Sequence, residues 1–149
     1  EMQVHKNRSV SNVVFFIAVF LYDANIMYAK KKSKEPLNKG SFGFAYRVVG
    51  YINEHLYEDI SLEKVSEEFF MSKSQINRIF KKAIGSTVWE YITVKRLLAA
   101  RAKIRSGVSA ANASIMCGFY DYSSFYRAYR SRFGCSPKED LPTAAGRKN

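Results

Sequence analysis

Side chains that bind metals or attack substrates are scarce in this 149-residue chain. Its only cysteines are Cys117 and Cys135, and its only histidines are His5 and His55. None of the short spacings that build a zinc site connects them, so neither a metal nor any other cofactor is expected. The two cysteines read as reduced thiols of a cytoplasmic protein; a Cys117–Cys135 disulfide stays open, but nothing demands it. The chain also lacks a G-x-S-x-G elbow, a P-loop and paired carboxylates in a suitable setting, so it is expected not to be an enzyme. Long apolar runs are missing as well. The longest, Val13 to Tyr22 (VVFFIAVFLY), is about half of what a membrane-spanning helix needs. His5, Lys6 and Arg8 precede it as they would in a signal peptide, but no small-x-small cleavage site follows.

Acidic residues are in short supply too, 13 against 24 lysines and arginines, for a net charge of +11 and a pI near 9.7. Such a balance points first to nucleic acid, through counterion release, and second to an anionic membrane surface. With 47% hydrophobic and 15% aromatic residues the chain can build one ordinary core or two very small ones, and it is not a disordered tail.

The most informative stretch is Ser72 to Gly85, SKSQINRIFKKAIG. Ser72 and Gln75 have the spacing of a capping box, and Gly85 offers a left-handed exit. Ile76, Ile79, Phe80 and Ala83 form one apolar stripe at helical spacing. The other face carries Lys73, Ser74, Asn77, Arg78, Lys81 and Lys82. One side thus suits a protein core and the other a polyanion. The pattern recurs 49 residues on, where Asp121, Ser123, Arg127, Tyr129, Arg130 and Gly134 stand for Ser72, Ser74, Arg78, Phe80, Lys81 and Gly85. Two copies of one helical unit follow from that register.

In chain order, Val10, Val14, Ile17, Leu21, Ala24 and Tyr28 form a helical seam, with Val13, Phe16, Phe20 and Met27 as a second strip. Residues 1–30 are therefore expected to be a separate helix, the end of an upstream sensing or dimerisation domain, with residues 10–28 as a homodimer seam. A helix folded into its own domain's core is the equal alternative. The chain begins at Glu1 rather than Met, which suits the tail of a longer protein. Residues 31–43, charged and containing Pro36, read as a linker. Phe44 to Leu56 resumes helical spacing, with His55 as a helix-end residue rather than a ligand.

Ser61 caps SLEKVSEEFF, whose Leu62, Val65, Ser66 and Phe69 face inward. A brief turn at Phe70 and Met71 leads to the Ser72 helix, giving a helix-turn-helix over about 61–85. Thr87 and Glu90 form a second capping box at the head of a helix running to Arg105, with Trp89, Ile92, Leu97, Ala100 and Ile104 as candidate buried positions. Its roughly 28 Å approach the ~34 Å repeat of B-DNA, which suits a rigid spacer. A second helix-turn-helix spans about 109–134: Ala110 to Met116, a turn at Cys117-Gly118-Phe119, then YSSFYRAYRSRF. Phe125, Ala128, Tyr129 and Phe133 face in; Tyr122, Ser123, Ser124, Tyr126, Arg127, Arg130 and Arg132 face out. Ser136-Pro137 opens a last turn, and 142–149 is a frayed tail.

ISLEKVSEEFFMSKSQINRIFKKAIGSTVWEYI, KRLLAARAKIRSG and CGFYDYSSFYRAYRSRFGCSP carry a resemblance to the AraC/XylS family of bacterial transcription regulators over about Val48 to Glu139. The last stretch fits the family signature G-F-x-D-x-S-x-F-x-R-x-[FY]-[KR]-x-x-x-G-x-[ST]-P. The chain departs from the family at Ser66 and Ser114, where alanine is usual, and at Asn112. The resemblance implies an all-α DNA-binding domain over 44–141, two helix-turn-helix subdomains joined by a linker helix, acting on double-stranded DNA with RNA polymerase as a further partner. Carried over by position, it assigns base reading to Ser74, Asn77 and Arg78, and to Tyr122, Ser123 and Arg127. Lys73, Gln75, Lys81, Lys82, Ser124, Tyr126 and Arg130 complete the expected DNA-binding set, with no membrane partner. A nonspecific basic nucleic-acid-binding protein is the alternative, and it accounts only for the charge.

Overall fold

The computed structural model describes residues 41–142. The expected N-terminal helix, the 10–28 seam, most of the linker and nearly all of the tail lie outside them. The described residues form six helices and no strand: α1 Ser41–Glu54, α2 Leu62–Glu68, α3 Lys73–Ile84, α4 Val88–Arg105, α5 Ala110–Met116 and α6 Tyr122–Phe133. α1 starts at Ser41, inside the stretch expected to be linker.

The helix boundaries follow the capping residues. Gln75 N–H donates to Ser72 Oγ at 3.3 Å and Ser72 N–H to Gln75 Oε1 at 3.4 Å, a reciprocal box at the head of α3. Thr87 N–H meets Glu90 Oε2 at 2.8 Å and Glu90 N–H meets Thr87 Oγ1 at 3.2 Å at the head of α4. Asp121 accepts the N–H groups of Ser123 and Ser124 at 3.1 and 2.8 Å. Caps of this kind each stabilise a helix by ~1 kcal/mol. α3 and α6 both stop at a left-handed glycine, Gly85 and Gly134, whose N–H groups return to Lys81 and Arg130 carbonyls.

The described chain packs as two compact units, one of residues 41–51 and 62–91, the other of 52–61 and 92–142. In the first, Val48 and Val49 of α1, Val65 of α2, Ile76 and Phe80 of α3, and Val88 and Tyr91 of α4 are buried. Phe80 meets Tyr91 edge-on at 5.5 Å, and Phe69 meets Phe44 and Tyr51 at 5.5 and 5.9 Å. In the second, Leu97, Ala100 and Ile104 of α4 close on Ala113 and Cys117 around α5 and on Phe125 and Tyr129 of α6. Cys117 is buried, Cys135 is half-buried, and both are free thiols.

Trp89 corrects the sequence reading: it is 53% exposed, and Val88 and Tyr91 fill the core instead. One residue turns a helix by about 100°, so Trp89 cannot share the face of Val88. The two serines at alanine positions satisfy their hydroxyls differently. Ser114 Oγ donates back to Ala111 O at 2.8 Å, whereas Ser66 Oγ donates forward to Met71 O at 2.6 Å and so fastens the first turn. Phe70 in that turn has φ +51° and is 95% exposed, where the second unit places Gly118 at φ +78°. Side chains other than glycine seldom adopt this region.

Ser86 is 5% exposed, and its hydroxyl finds no hydrogen-bond partner among the described residues. Removing a polar atom left unpaired in a core removes a desolvation cost. Ser86→Ala is therefore expected to stabilise the first unit, by up to about 1 kcal/mol, measured as a higher urea midpoint at unchanged slope.

Candidate nucleic-acid interface

In the first unit the outer face of α3 presents Lys73, Ser74, Gln75, Arg78, Lys81 and Lys82, all exposed. The helix contains no acidic residue. Arg78 carries no ion pair among the described residues, so its guanidinium is available to a groove. Three neighbours are partly committed. Lys73 pairs with Glu63 of α2. Gln75 has its carbonyl in the capping box. Asn77 is half-buried rather than fully exposed, and its Oδ1 accepts Val88 N–H at 3.1 Å, closing the first turn of α4. A bidentate adenine contact needs both amide groups, so Asn77 is a structural cap while that bond stands.

In the second unit α6 presents Tyr122, Ser123, Ser124, Arg127 and Arg130 to solvent, with Tyr126 half-buried, and again has no acidic residue. Arg127 Nη2 donates to Ser124 Oγ one turn back at 3.3 Å, a long bond that aligns the guanidinium along the helix without neutralising it. Arg132 was expected outside with these residues. It is half-buried instead, and burial lowers its pKa. Hydrogen bonds from the Ser124 side chain and from the Ser124 and Ser123 N–H groups lower the Asp121 pKa, so α6 opens on a fixed carboxylate that holds its first turn.

Behind this face stand two devices that sequence reading missed. Asp140, in the turn after α6, accepts from Arg101 Nε and Nη2 at 2.7 and 3.3 Å, Arg105 Nη2 at 3.1 Å and Tyr129 Oη at 2.7 Å. Arg101 also lies over the Phe133 ring at 4.3 Å. One carboxylate thereby joins α4, α6 and the final turn. On the other side Arg96, 4% exposed, donates Nε to Leu56 O at 2.8 Å and Nη2 to Glu58 O at 2.7 Å. No group of three or more candidate ligands could hold a metal ion among the described residues, and no described helix is long and apolar enough to cross a membrane.

The sequence model of a helix-turn-helix domain matches residues 65–141. The chain is 34% identical over 119 residues to the XylDLEGF operon transcriptional activator 1 of Pseudomonas putida, a match covering 77% of this chain and 36% of that protein. It spans less than half the length of the curated relatives it matches. Among solved structures, a probable AraC family transcriptional regulator from Rhodopseudomonas palustris CGA009 superposes with a TM-score of 0.60 at 26% identity, over 66% of this chain and 94% of that one. The DNA-binding domain of AdpA, a global transcriptional factor solved in complex with a target DNA, superposes at 0.60 with 25% identity, over 64% of this chain and 86% of that one. Two capped helix-turn-helix motifs with acid-free basic outer helices, a domain match over half the chain, and these neighbours agree: the chain belongs to the AraC/XylS family of transcription regulators.

Proposed function

We propose that this domain reads double-stranded DNA sequence-specifically, seating α3 and α6 in successive major-groove segments with α4 as the stiff spacer. The observation that carries the reading is the matched exposure of Arg78 and Arg127, 49 residues apart. Both project from helices that carry no acidic residue. A guanidinium so presented suits the O6 and N7 of guanine. Ser74 and Ser123 supply adaptable donors beside them. Lys81, Lys82 and Arg130 fit phosphate contacts, which position the domain without specifying sequence. In this reading the full protein acts in the bacterial cytoplasm, at the nucleoid and on RNA polymerase, and residues 10–28 pair two copies.

Arg127→Ala tests it. The expected result is a loss of about 1–3 kcal/mol in binding, concentrated at one base pair of the second half-site. Binding is measured by competition between a selected duplex and random DNA at physiological salt. A uniform weakening across all sequences would make Arg127 a phosphate clamp. Equal affinity of the wild-type chain for selected and random DNA would establish the nonspecific alternative.

A further inference from the structure

The two reading helices differ most at positions that share a register. Where α3 has Lys73 and Asn77, α6 has Tyr122 and Tyr126. In the first unit those side chains are engaged with Glu63 and with the Val88 N–H. In the second they form a surface. Tyr122, the first residue of α6, is 44% exposed and stands 6.5 Å from Tyr126 one turn on, ring centroid to centroid. It also packs 5.7 Å from Phe125. Phe125 is fully buried and contacts Phe119 at 5.0 Å and Tyr129 at 5.4 Å. The outer pair is therefore the exposed end of an aromatic stack rooted in the core. Rings held this way lose little freedom on contact, so an apolar surface is presented ready-made.

Resting on the major-groove reading above, we propose that Tyr122 and Tyr126 make the second unit selective for thymine by packing on its C5 methyl group. That methyl is the one apolar feature any base pair shows in the major groove. Arg127, the residue after Tyr126, would place the pair beside a guanine contact, so the second half-site combines guanine with an adjoining thymine. The first unit, with polar groups at both positions, gains nothing from a methyl there. The phenol hydroxyls offer a rival use, hydrogen bonding to phosphate, and this rival depends on the oxygen rather than the ring.

The test begins with duplexes selected by the whole chain from a random pool. The half-site whose preference changes in Arg127→Ala is assigned to the second unit. Each thymine in it is then replaced by deoxyuridine, which removes only the methyl. Burying one such group corresponds to about a fourfold change in affinity. The expected result is at least one thymine where deoxyuridine weakens binding about fourfold for the wild-type chain and for Tyr122→Phe, with the penalty gone in Tyr122→Ala or Tyr126→Ala. A second half-site without thymine overturns the proposal while leaving sequence-specific reading intact. So does a penalty that survives both alanine variants, or one that Tyr122→Phe abolishes. A pool that yields no enriched sequence overturns the proposal and the parent reading together.

Discussion

Asp140→Asn is expected to destabilise the second unit by about 3 kcal/mol, at the lower end for breaking a buried ion pair because its arginine partners are partly exposed. For a domain of this size that is a fall of roughly 10–20 °C in Tm by calorimetry. The Asp140 side chain is only 10% exposed, and its oxygens accept from Arg101, Arg105 and Tyr129. An asparagine keeps one acceptor and turns an NH2 group towards cationic donors, leaving at least one of them unpaired where water is scarce. Burial by itself would raise the Asp140 pKa; the hydrogen bonds from Arg101, Tyr129 and Arg105 outweigh it and hold the carboxyl far below its ordinary range. A depressed carboxyl stabilises the fold above its unfolded pKa, near 3.9, and that contribution fades as pH falls below about 4. Burial, and then the Asp140 hydrogen bond, raise the Tyr129 pKa far above 10, so the phenol's contribution is present below about 10 and is lost as pH rises further. The difference in Tm between wild type and variant should hence be flat from about pH 5 to 9 and should shrink below about pH 4.

The second large effect belongs to Gly118 and Arg96. A Cβ added at Gly118 would lie 3.0 Å from both Cζ and Nε of Arg96, and the backbone there has φ +78°. The left-handed conformation alone costs an alanine about 1–2 kcal/mol. Arg96 cannot swing aside without releasing Leu56 O and Glu58 O. Gly118→Ala should therefore cost about 2–4 kcal/mol in urea unfolding, more than the backbone term alone. Arg96→Met removes the obstacle but strands the Leu56 carbonyl, while Glu58 O keeps the Ile60 N–H at 2.9 Å; the expected cost is about 1–3 kcal/mol. The double variant should fall short of additivity by about 1 kcal/mol, since a methionine yields to the new methyl group. Strict additivity would show that the two residues do not share the crowding.

What the sequence disclosed and what it hid divide along the range of the interactions. Ser72–Gln75, Thr87–Glu90 and Asp121–Ser124 are contacts three residues apart, and they located the starts of α3, α4 and α6. The apolar stripe of α3 was equally plain, because one side of that helix meets the core. α4 was harder. Its buried residues, among them Val88, Tyr91, Ile92, Val94, Leu97, Ala100 and Ile104, run around the helix rather than along one stripe, so periodicity misplaced Trp89. The supports of the interface were out of reach: Arg96 bonds to carbonyls 40 and 38 positions away, and Arg101 to a carboxylate 39 away. No local pattern announces such a partner. The bond at Asn77 was hidden for a similar reason, since its acceptor role depends on a helix start eleven residues on. The exposure of Arg78, Arg127 and Arg130 was legible because each lies off the apolar stripe of its helix.

α1 begins in the first unit and ends in the second, the chain returns to the first at Leu62, and α4 crosses once more after Tyr91. Neither half is thus a continuous stretch of polypeptide. A gene truncated after Tyr91 would encode every residue of the first half, along with a dangling 52–61 segment deprived of Arg96. A product starting at Ile92 would carry α6 and Arg96, but not the Leu56 and Glu58 carbonyls that Arg96 holds. Shuffling these modules between regulators therefore needs grafts with three seams, at 51/52, 61/62 and 91/92, rather than a single crossover point.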